Sequence, residues 1–221
     1  PFTNTGVRAT YNASDTISGT IGFSNGLNGI GTDQYSDADH GKMVELNGTM
    51  KPNKDTLISA TLLIGTENSI SGSTNDKFYL FDIVASYTMD KLTVALNLDF
   101  ASIQNPFGPQ SPAFSAPRGA LSGIAVYGKY AWTDAMASAL RVEYLSDKNG
   151  VFFVPNAGVP SDSGTGARVF EVTLTQEMKV AQQLILRVEI RSDNSNNHVM
   201  NRDGKAARGD TTLGFEAIMP F

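Results

Sequence analysis

Strict alternation of apolar and polar residues recurs along the whole chain and constrains its fold more than any other feature. The clearest case is Leu92–Ala101, where an apolar row of Leu, Val and Phe alternates with Thr, Ala, Asn and Asp. A period of two residues places successive side chains on opposite faces of an extended strand. The chain is therefore predicted to consist of β-strands that each have one apolar face and one polar face.

Eleven such segments are predicted, separated alternately by short and long connections. They are Thr5–Ala13, Ile17–Ser24, Lys42–Met50, Thr56–Thr66, Phe78–Thr88, Leu92–Ala101, Leu121–Trp132, Ala137–Ser146, Arg168–Met178, Leu184–Arg191 and Thr211–Phe221. The short connections carry turn residues such as Asp55 and Asp90, and the long ones are rich in Gly, Ser, Asn and Pro. The repeating unit is a hairpin followed by a long loop, which excludes the four-stranded blade of a propeller.

The alternation fits two all-β architectures, a soluble β-sandwich and a transmembrane barrel. Most predicted strands have about nine to eleven residues, the length of a tilted membrane-spanning strand, whereas soluble strands average about five or six. Charged residues make up 18% of the chain, below the roughly 25% of typical soluble domains. Alternating short and long connections are also typical of outer-membrane barrels. These features favour a transmembrane antiparallel up-and-down β-barrel over a soluble β-sandwich that serves as a binding module.

The polar faces carry charged side chains that would line water inside a barrel. The predicted pore-lining residues are Arg8, Glu45, Asp82, Asp99, Lys129, Arg141, Glu143, Glu171, Arg187, Glu189, Arg191 and Glu216. Opposed charges across the lumen would filter solutes by size and charge. The alternative is that these charges pair with one another and stabilise the wall.

Aromatic residues near the strand ends are predicted to form the girdles found at both membrane interfaces. They are Tyr11, Phe23, Phe78, Tyr79, Tyr87, Phe100, Tyr130, Trp132, Tyr144 and Phe221. Tyr127 is the main aromatic candidate on the polar face, where it could contact a solute. The long loops Gln104–Gly119 and Asp147–Ala167 could fold inward and narrow the pore, or cap the outside.

Other chemistry finds little support in the sequence. The chain has no cysteine, and its two histidines, His40 and His198, lie in predicted loops without a Ser/His/Asp context. A loop with Asp33, Asp37 and Asp39 could offer oxygen ligands to Ca²⁺, but it lacks the full acidic loop motif, and a solvated loop is the simpler interpretation. The formal net charge of −5 argues against a nucleic-acid partner. We therefore expect no enzymatic activity, no metal and no cofactor.

Several segments resemble the putative β-barrel porin family, in its OmpL-like group. They are the opening PFTNTGVRATYNASDTISGTIGFSNG, the turn and strand TMDKLTVALNLDFAS, and the shorter ALRVEYLSD and LILRVEIRSDNS. The resemblance covers essentially the whole chain and implies passive outer-membrane diffusion channels. In that family, sequence similar to PFTNTG lies mid-chain, after several upstream strands.

The last predicted strand, Thr211–Phe221, ends the chain on an aromatic residue in an apolar row. Bacterial outer-membrane barrels very often end in this way, and the resemblance implies that the barrel-assembly machinery reads this strand through Phe221. Eleven strands is an odd number, whereas single-chain bacterial outer-membrane barrels have even numbers. We therefore expect residues 1–221 to form a single barrel domain that lacks N-terminal strands and belongs to a barrel of about 14 to 18 strands.

The sequence thus predicts a porin of the bacterial outer membrane through which small hydrophilic solutes and ions diffuse passively. Two alternatives stay open: a barrel whose occupied lumen serves as a structural sheath or conduit for a partner protein, and the soluble binding module. The expected partners are outer-membrane lipid, the barrel-assembly machinery and, in a homo-oligomer, further copies of the chain.

Overall fold

A computed structural model of the protein describes residues 5–25, 41–67, 76–104, 118–150 and 166–219. Within these ranges the chain forms strands and turns, and none of it is helical. The strands are β1 (Gly6–Asn12), β2 (Ile17–Ser24), β3 (Met43–Asn53), β4 (Thr56–Glu67), β5 (Asp76–Met89), β6 (Leu92–Gln104), β7 (Arg118–Thr133), β8 (Met136–Asp147), β9 (Ala167–Ala181), β10 (Leu184–Ser195), β11 (Met200–Arg202), β12 (Lys205–Ala207) and β13 (Gly209–Ile218). The described residues include no helix that is long and apolar enough to span a membrane.

Eleven strands form one antiparallel sheet in which each strand pairs with its neighbour in sequence. The order is β1 to β10 followed by β13, while β11 and β12 form a separate hairpin in the connection between β10 and β13. In the described part of the chain, β1 pairs only with β2 and β13 pairs only with β10, so the sheet is open. The up-and-down topology agrees with the predicted fold class.

Tight turns join the strands at one end of the sheet, which we call the short-turn end. β3 and β4 are joined by Lys54–Asp55, β5 and β6 by Asp90–Lys91, and β7 and β8 by residues 134–135. Asp90 has a left-handed backbone with φ 49°, a conformation that aspartate tolerates better than most residues. The longer connections attach at the opposite end of the sheet, which we call the long-loop end.

The register assigns the side chains of the sheet to two faces, because residues directly opposite each other across paired strands lie on the same face. One row across the apolar face consists of Ile17, Met50, Ile58, Ala85, Leu96, Val126, Val142 and Val172. A row across the polar face consists of Ser18, Thr49, Ser59, Val84, Asn97, Ala125, Glu143, Glu171 and Asp193. The alternating apolar and polar residues of the sequence therefore lie on opposite faces of the sheet.

Large apolar side chains on the apolar face are exposed. Tyr11 is 74% exposed, Phe215 75% and Leu213 61%. A β-sandwich would bury these rows against a second sheet, but the only other sheet in the described residues is the short β11–β12 hairpin. An exposed apolar surface of this extent is what a membrane barrel presents to lipid.

A small apolar cluster lies on the polar face at the long-loop end. Met43, Phe78 and Ile103 are at most 1% exposed, and they pack with Ala101. Three leucines that are partly buried adjoin this cluster: Leu63, Leu80 and Leu121. The prediction that Phe78 belongs to an interface girdle is wrong, because its register partner Ile103 and its burial place it in this cluster.

The predicted strands occur, and the main difference is at the rims of the sheet. The predicted loop Ser192–Asp210 contains the end of β10, the β11–β12 hairpin and the start of β13. The hairpin turns at Asp203 and Gly204, which both have positive φ, and the Gly204 amide donates to Asn201 Oδ1 at 3.0 Å. Asp-Gly is a strong signal for a tight hairpin turn, so the sequence contained this information.

A charge placed on the apolar face at mid-strand should destabilise the inserted protein. Leu96→Arg should lower the free energy of unfolding by about 2–4 kcal/mol, because it puts a cation into the hydrocarbon core. The neighbouring change Ala95→Arg, on the polar face, is the matched control and should cost much less. Urea unfolding in lipid vesicles measures both, and equal costs would contradict the assignment of the faces.

Candidate functional site

All twelve residues predicted to line a pore lie on the polar face. The register brings several of them into common rows across the strands. The pairs that share a row are Arg8 and Glu45, Asp82 and Asp99, Glu143 and Glu171, Arg141 and Arg191, Lys129 and Glu189, and Arg187 and Glu216. The polar face is therefore the candidate functional surface.

The first charged cluster is centred on Glu171 of β9, and we call it the Glu171 cluster. The Glu171 side chain is 2% exposed. Arg141 on β8 donates to it through Nε at 2.8 Å and also through Nη2, while Arg191 on β10 approaches it at 3.2 Å. The Thr173 hydroxyl donates to Oε1 at 2.5 Å. One buried carboxylate thus holds arginines from both neighbouring strands.

Further carboxylates complete the Glu171 cluster. Arg191 donates to Asp193 through two parallel hydrogen bonds, both 2.8 Å long, a geometry typical of strong arginine–carboxylate pairs. Arg141 also lies 3.5 Å from Glu143. Three carboxylates therefore surround two guanidinium groups, and both arginines are held close to the wall of the sheet.

The second charged cluster lies nearer the short-turn end and is centred on Glu177 of β9. Glu177 accepts from Lys129 on β7 at 3.0 Å and from Arg187 on β10 at 2.8 Å. Arg187 also donates to Glu216 on β13 at 3.2 Å. The side chains of Arg187 and Glu216 are 38% and 58% exposed, so this Glu177 cluster is more accessible to water than the Glu171 cluster.

The strands β1 to β6 have a different polar face. Among the described residues it carries an ion pair between Arg8 and Glu45 at 2.5 Å and the opposed carboxylates of Asp82 and Asp99. Asn97 donates to Asp82 at 2.5 Å, and neither aspartate forms an ion pair with a described residue. Hydroxyl and amide side chains occupy much of the remaining surface. The basic groups are thus concentrated on β7 to β10, while the Asp82–Asp99 pair is acidic.

Glu177 and Asp193 belong to these clusters but are not among the twelve predicted pore-lining residues. Glu177 lies in the predicted strand Arg168–Met178 with the same parity as Glu171, so periodicity could have identified it. The sequence pattern predicts a loop at Asp193, because polar residues at the rim of the sheet do not alternate with apolar ones. Five basic residues each form an ion pair with a carboxylate on the polar face, as the alternative interpretation of these charges expects: Arg8, Lys129, Arg141, Arg187 and Arg191.

The other predicted candidates are placed as follows. Tyr127 lies on the polar face directly opposite Arg141, and His198 lies in the connection between β10 and β11. The candidate calcium loop at residues 33–39, together with His40 and Phe221, lies outside the described residues. In the part of the chain that the structure describes, no group of three or more His, Cys, Asp or Glu side chains could hold a metal ion.

A family model described as "Putative beta-barrel porin-2, OmpL-like" matches residues 1–221, which is the whole chain. The chain belongs to this family. It is therefore an all-β outer-membrane barrel protein of the porin type, located in the bacterial outer membrane. No curated protein sequence matches it.

Solved structures with the same fold include OmpT, an outer membrane protein of Vibrio cholerae. The in-vitro folded form has a TM-score of 0.64 and 15% sequence identity, covering 97% of this chain and 63% of that chain. The loop L8 deletion mutant of OmpT has a TM-score of 0.64 and 14% identity, covering 97% of this chain and 62% of that chain. OmpT expressed in the outer membrane has a TM-score of 0.60 and 14% identity, covering 96% of this chain and 64% of that chain. The likeness shows the fold, and this chain spans less than two thirds of each structure.

The two clusters should differ in their contribution to stability. Glu171→Gln removes a buried carboxylate from two arginines and should lower the free energy of unfolding by about 3 kcal/mol. Glu216→Gln makes the same chemical change at an exposed site and should cost less than about 1 kcal/mol. Urea unfolding of the protein in vesicles gives both values. Similar costs for the two variants would show that burial of Glu171 is not what stabilises its cluster.

Proposed function

We propose that the protein is an open porin that lets small hydrophilic solutes and ions diffuse down their gradients, without catalysis and without a cofactor. The observation that carries this proposal is the segregation of charge. The described basic and acidic side chains of the membrane-spanning sheet lie almost entirely on one face, and the other face is apolar. A face that carries so many charged groups requires water, and a barrel of this family supplies water in its lumen.

Closure of the barrel is a part of this proposal. β1 and β13 each have one paired neighbour in the described residues, and a transmembrane sheet has to pair its edge strands because hydrocarbon offers no hydrogen-bond partner. We propose that residues 1–221 form one domain of a barrel of about 14 to 18 strands. The partial coverage of the OmpT structures supports a larger barrel.

The polar face should favour cations over anions. Its basic residues are Arg8, Lys129, Arg141, Lys179, Arg187 and Arg191, and its acidic residues are Glu45, Asp82, Asp99, Glu143, Asp147, Glu171, Glu177, Glu189, Asp193, Asp210 and Glu216. Carboxylates outnumber the basic groups, and the paired arginines present little free positive charge to the lumen. A wall with net negative charge attracts cations and repels anions.

Conductance in a planar bilayer tests the proposal directly. The protein should give stable ohmic steps, and its reversal potential in a salt gradient should show cation preference. Arg187→Glu should increase that preference, and Lys54→Glu, at a turn outside the sheet, should leave it unchanged. The effect should be larger at 0.1 M than at 1 M salt, because the Debye length falls from about 10 Å to about 3 Å. A protein that inserts but does not conduct would contradict the open porin.

One observation favours a second candidate, a barrel whose lumen is occupied and which serves as a structural sheath or conduit. The cluster of Met43, Phe78 and Ile103 is buried on the same face as the charged residues. Apolar side chains at most 1% exposed are not in contact with bulk water, so the polar face is not open water along its full height. Folded insertion without conductance would support this candidate.

Two further partners belong to the proposal. The apolar row of β13 includes Leu213 and Phe215, which are 61% and 75% exposed, and we propose that the barrel-assembly machinery reads this strand. The exposed apolar face also provides a surface on which copies of the barrel could associate as a homo-oligomer. Lipid covers this face in the outer membrane.

A further inference from the structure

The charged side chains described on the apolar face are all positive, and all lie at the long-loop end of the sheet. Among the described side chains of the eleven-stranded sheet, those of Lys77 on β5 and Arg168 on β9 are the charged ones on this face. Both are exposed, and each is the second residue of its strand, at the long-loop end. At the short-turn end, the same face carries residues such as Met89, Trp132 and Met136. The asymmetry distinguishes the two edges of the membrane-spanning surface.

Arg168 lies directly above a pair of exposed aromatic side chains. Its cross-strand partner is Ser146, and two residues further along β9 Phe170 is opposite Tyr144. Phe170 is 45% exposed and Tyr144 42%. The Arg168 backbone is held in place, since its amide donates to Asn196 Oδ1 at 2.6 Å and its carbonyl accepts from the Asn196 amide at 3.2 Å.

Lys77 repeats this arrangement four strands away. Its cross-strand partner is Thr66, and two residues further along β5 Tyr79 is opposite Ile64. Tyr79 is 42% exposed and Ile64 37%. Each site thus has a cation, a hydroxyl group beside it and an exposed aromatic ring one step deeper. Neither Lys77 nor Arg168 forms an ion pair with another described residue.

Along the membrane normal, the order of cation and aromatic ring matches the order of phosphate group and acyl chains in a lipid. Aromatic rings on the outside of a barrel lie at the level where hydrocarbon gives way to head groups. A cation one step further out lies at the level of the head-group phosphates, with its aliphatic stem along the apolar surface. Arginine binds phosphate oxygens with two parallel hydrogen bonds, lysine binds them as a point charge, and a neighbouring hydroxyl can donate another hydrogen bond.

We propose that Arg168 with Ser146, and Lys77 with Thr66, are two docking sites for phosphate-bearing lipids of the outer leaflet. Long loops of outer-membrane barrels are extracellular and short turns periplasmic, so both sites face the outer leaflet. The acyl chains lie against Phe170 and Tyr144 at one site and against Tyr79 and Ile64 at the other. The sites bind lipid whether or not the barrel conducts.

Native mass spectrometry of the folded protein in detergent micelles tests this proposal, with lipid A that carries its phosphates as the probe. Wild type should bind this lipid A more tightly than the same lipid A after enzymatic removal of the phosphates. Arg168→Gln and Lys77→Gln should each weaken binding at their site about fivefold, which corresponds to about 1 kcal/mol per cation near a charged lipid surface. Arg168→Lys should retain most of the affinity.

Lys91→Gln is the matched control, because it removes one exposed positive charge at the short-turn end. It should bind phosphorylated lipid A as wild type does, and higher salt should weaken binding to wild type and to the control equally. Equal binding of phosphorylated and dephosphorylated lipid A by wild type would overturn the proposal without any variant. Wild-type affinity in the Arg168→Gln, Lys77→Gln double variant, or an equal loss in Lys91→Gln, would also overturn it.

Discussion

Backbone hydrogen bonding is the constraint on which the rest of this structure depends. Hydrocarbon offers no partner for an N–H or C=O group, so each strand in a membrane has to satisfy its backbone through neighbouring strands. In the resulting ladder a slip by one residue would turn every apolar side chain to the wrong face, so each pair of strands keeps a register that leaves its apolar side chains on one face. The positions of Glu171, Arg141 and Arg191 follow from that register. Their ion pairs therefore rest on rigid strands that lie side by side.

The ion pairs give the polar face its electrostatic character. Glu171 is buried and binds two arginines, while Glu177 binds Lys129 and Arg187 at a more exposed position. Because each cation is close to a carboxylate, its field is largely cancelled within a few ångströms of the wall. The Asp82–Asp99 pair has no such compensation among the described residues. The wall therefore acts on passing ions mainly through its carboxylates.

Much of this architecture could be predicted from the sequence, because alternation reports directly on the two faces of a strand. The prediction for β2 has the same bounds as the strand in the structure, and all twelve candidate residues lie on one face. Alternation fails at the rims, where both faces are polar, and the sequence pattern therefore predicts a loop where β10 ends and β13 begins. The girdle prediction for Phe78 is wrong because it uses only the aromatic type and the nearness to a strand end, whereas the alternation along β5 places Phe78 on the same face as Asp82.

The pairing of charges could not be predicted from the sequence. Arg141 and Glu171 are brought together by the register between β8 and β9, two strands joined by a long connection whose length does not determine their alignment. The same holds for Lys129 and Glu177, which lie on strands separated by β8. The alternation along a strand shows which face a charged residue occupies, whereas its ion-pair partner depends on the register with a neighbouring strand.

Labelling of single cysteines along β6 would test the assignment of the two faces most directly. The protein has no native cysteine, so positions 93 to 98 can each be replaced in turn and treated, in lipid vesicles, with a membrane-impermeant thiol reagent. Rapid labelling at Thr93, Ala95 and Asn97 and protection at Val94, Leu96 and Leu98 is the expected result, because the first set faces water and the second faces lipid. Uniform labelling, or protection of the first set with labelling of the second, would contradict a water-filled barrel lined by the charged face.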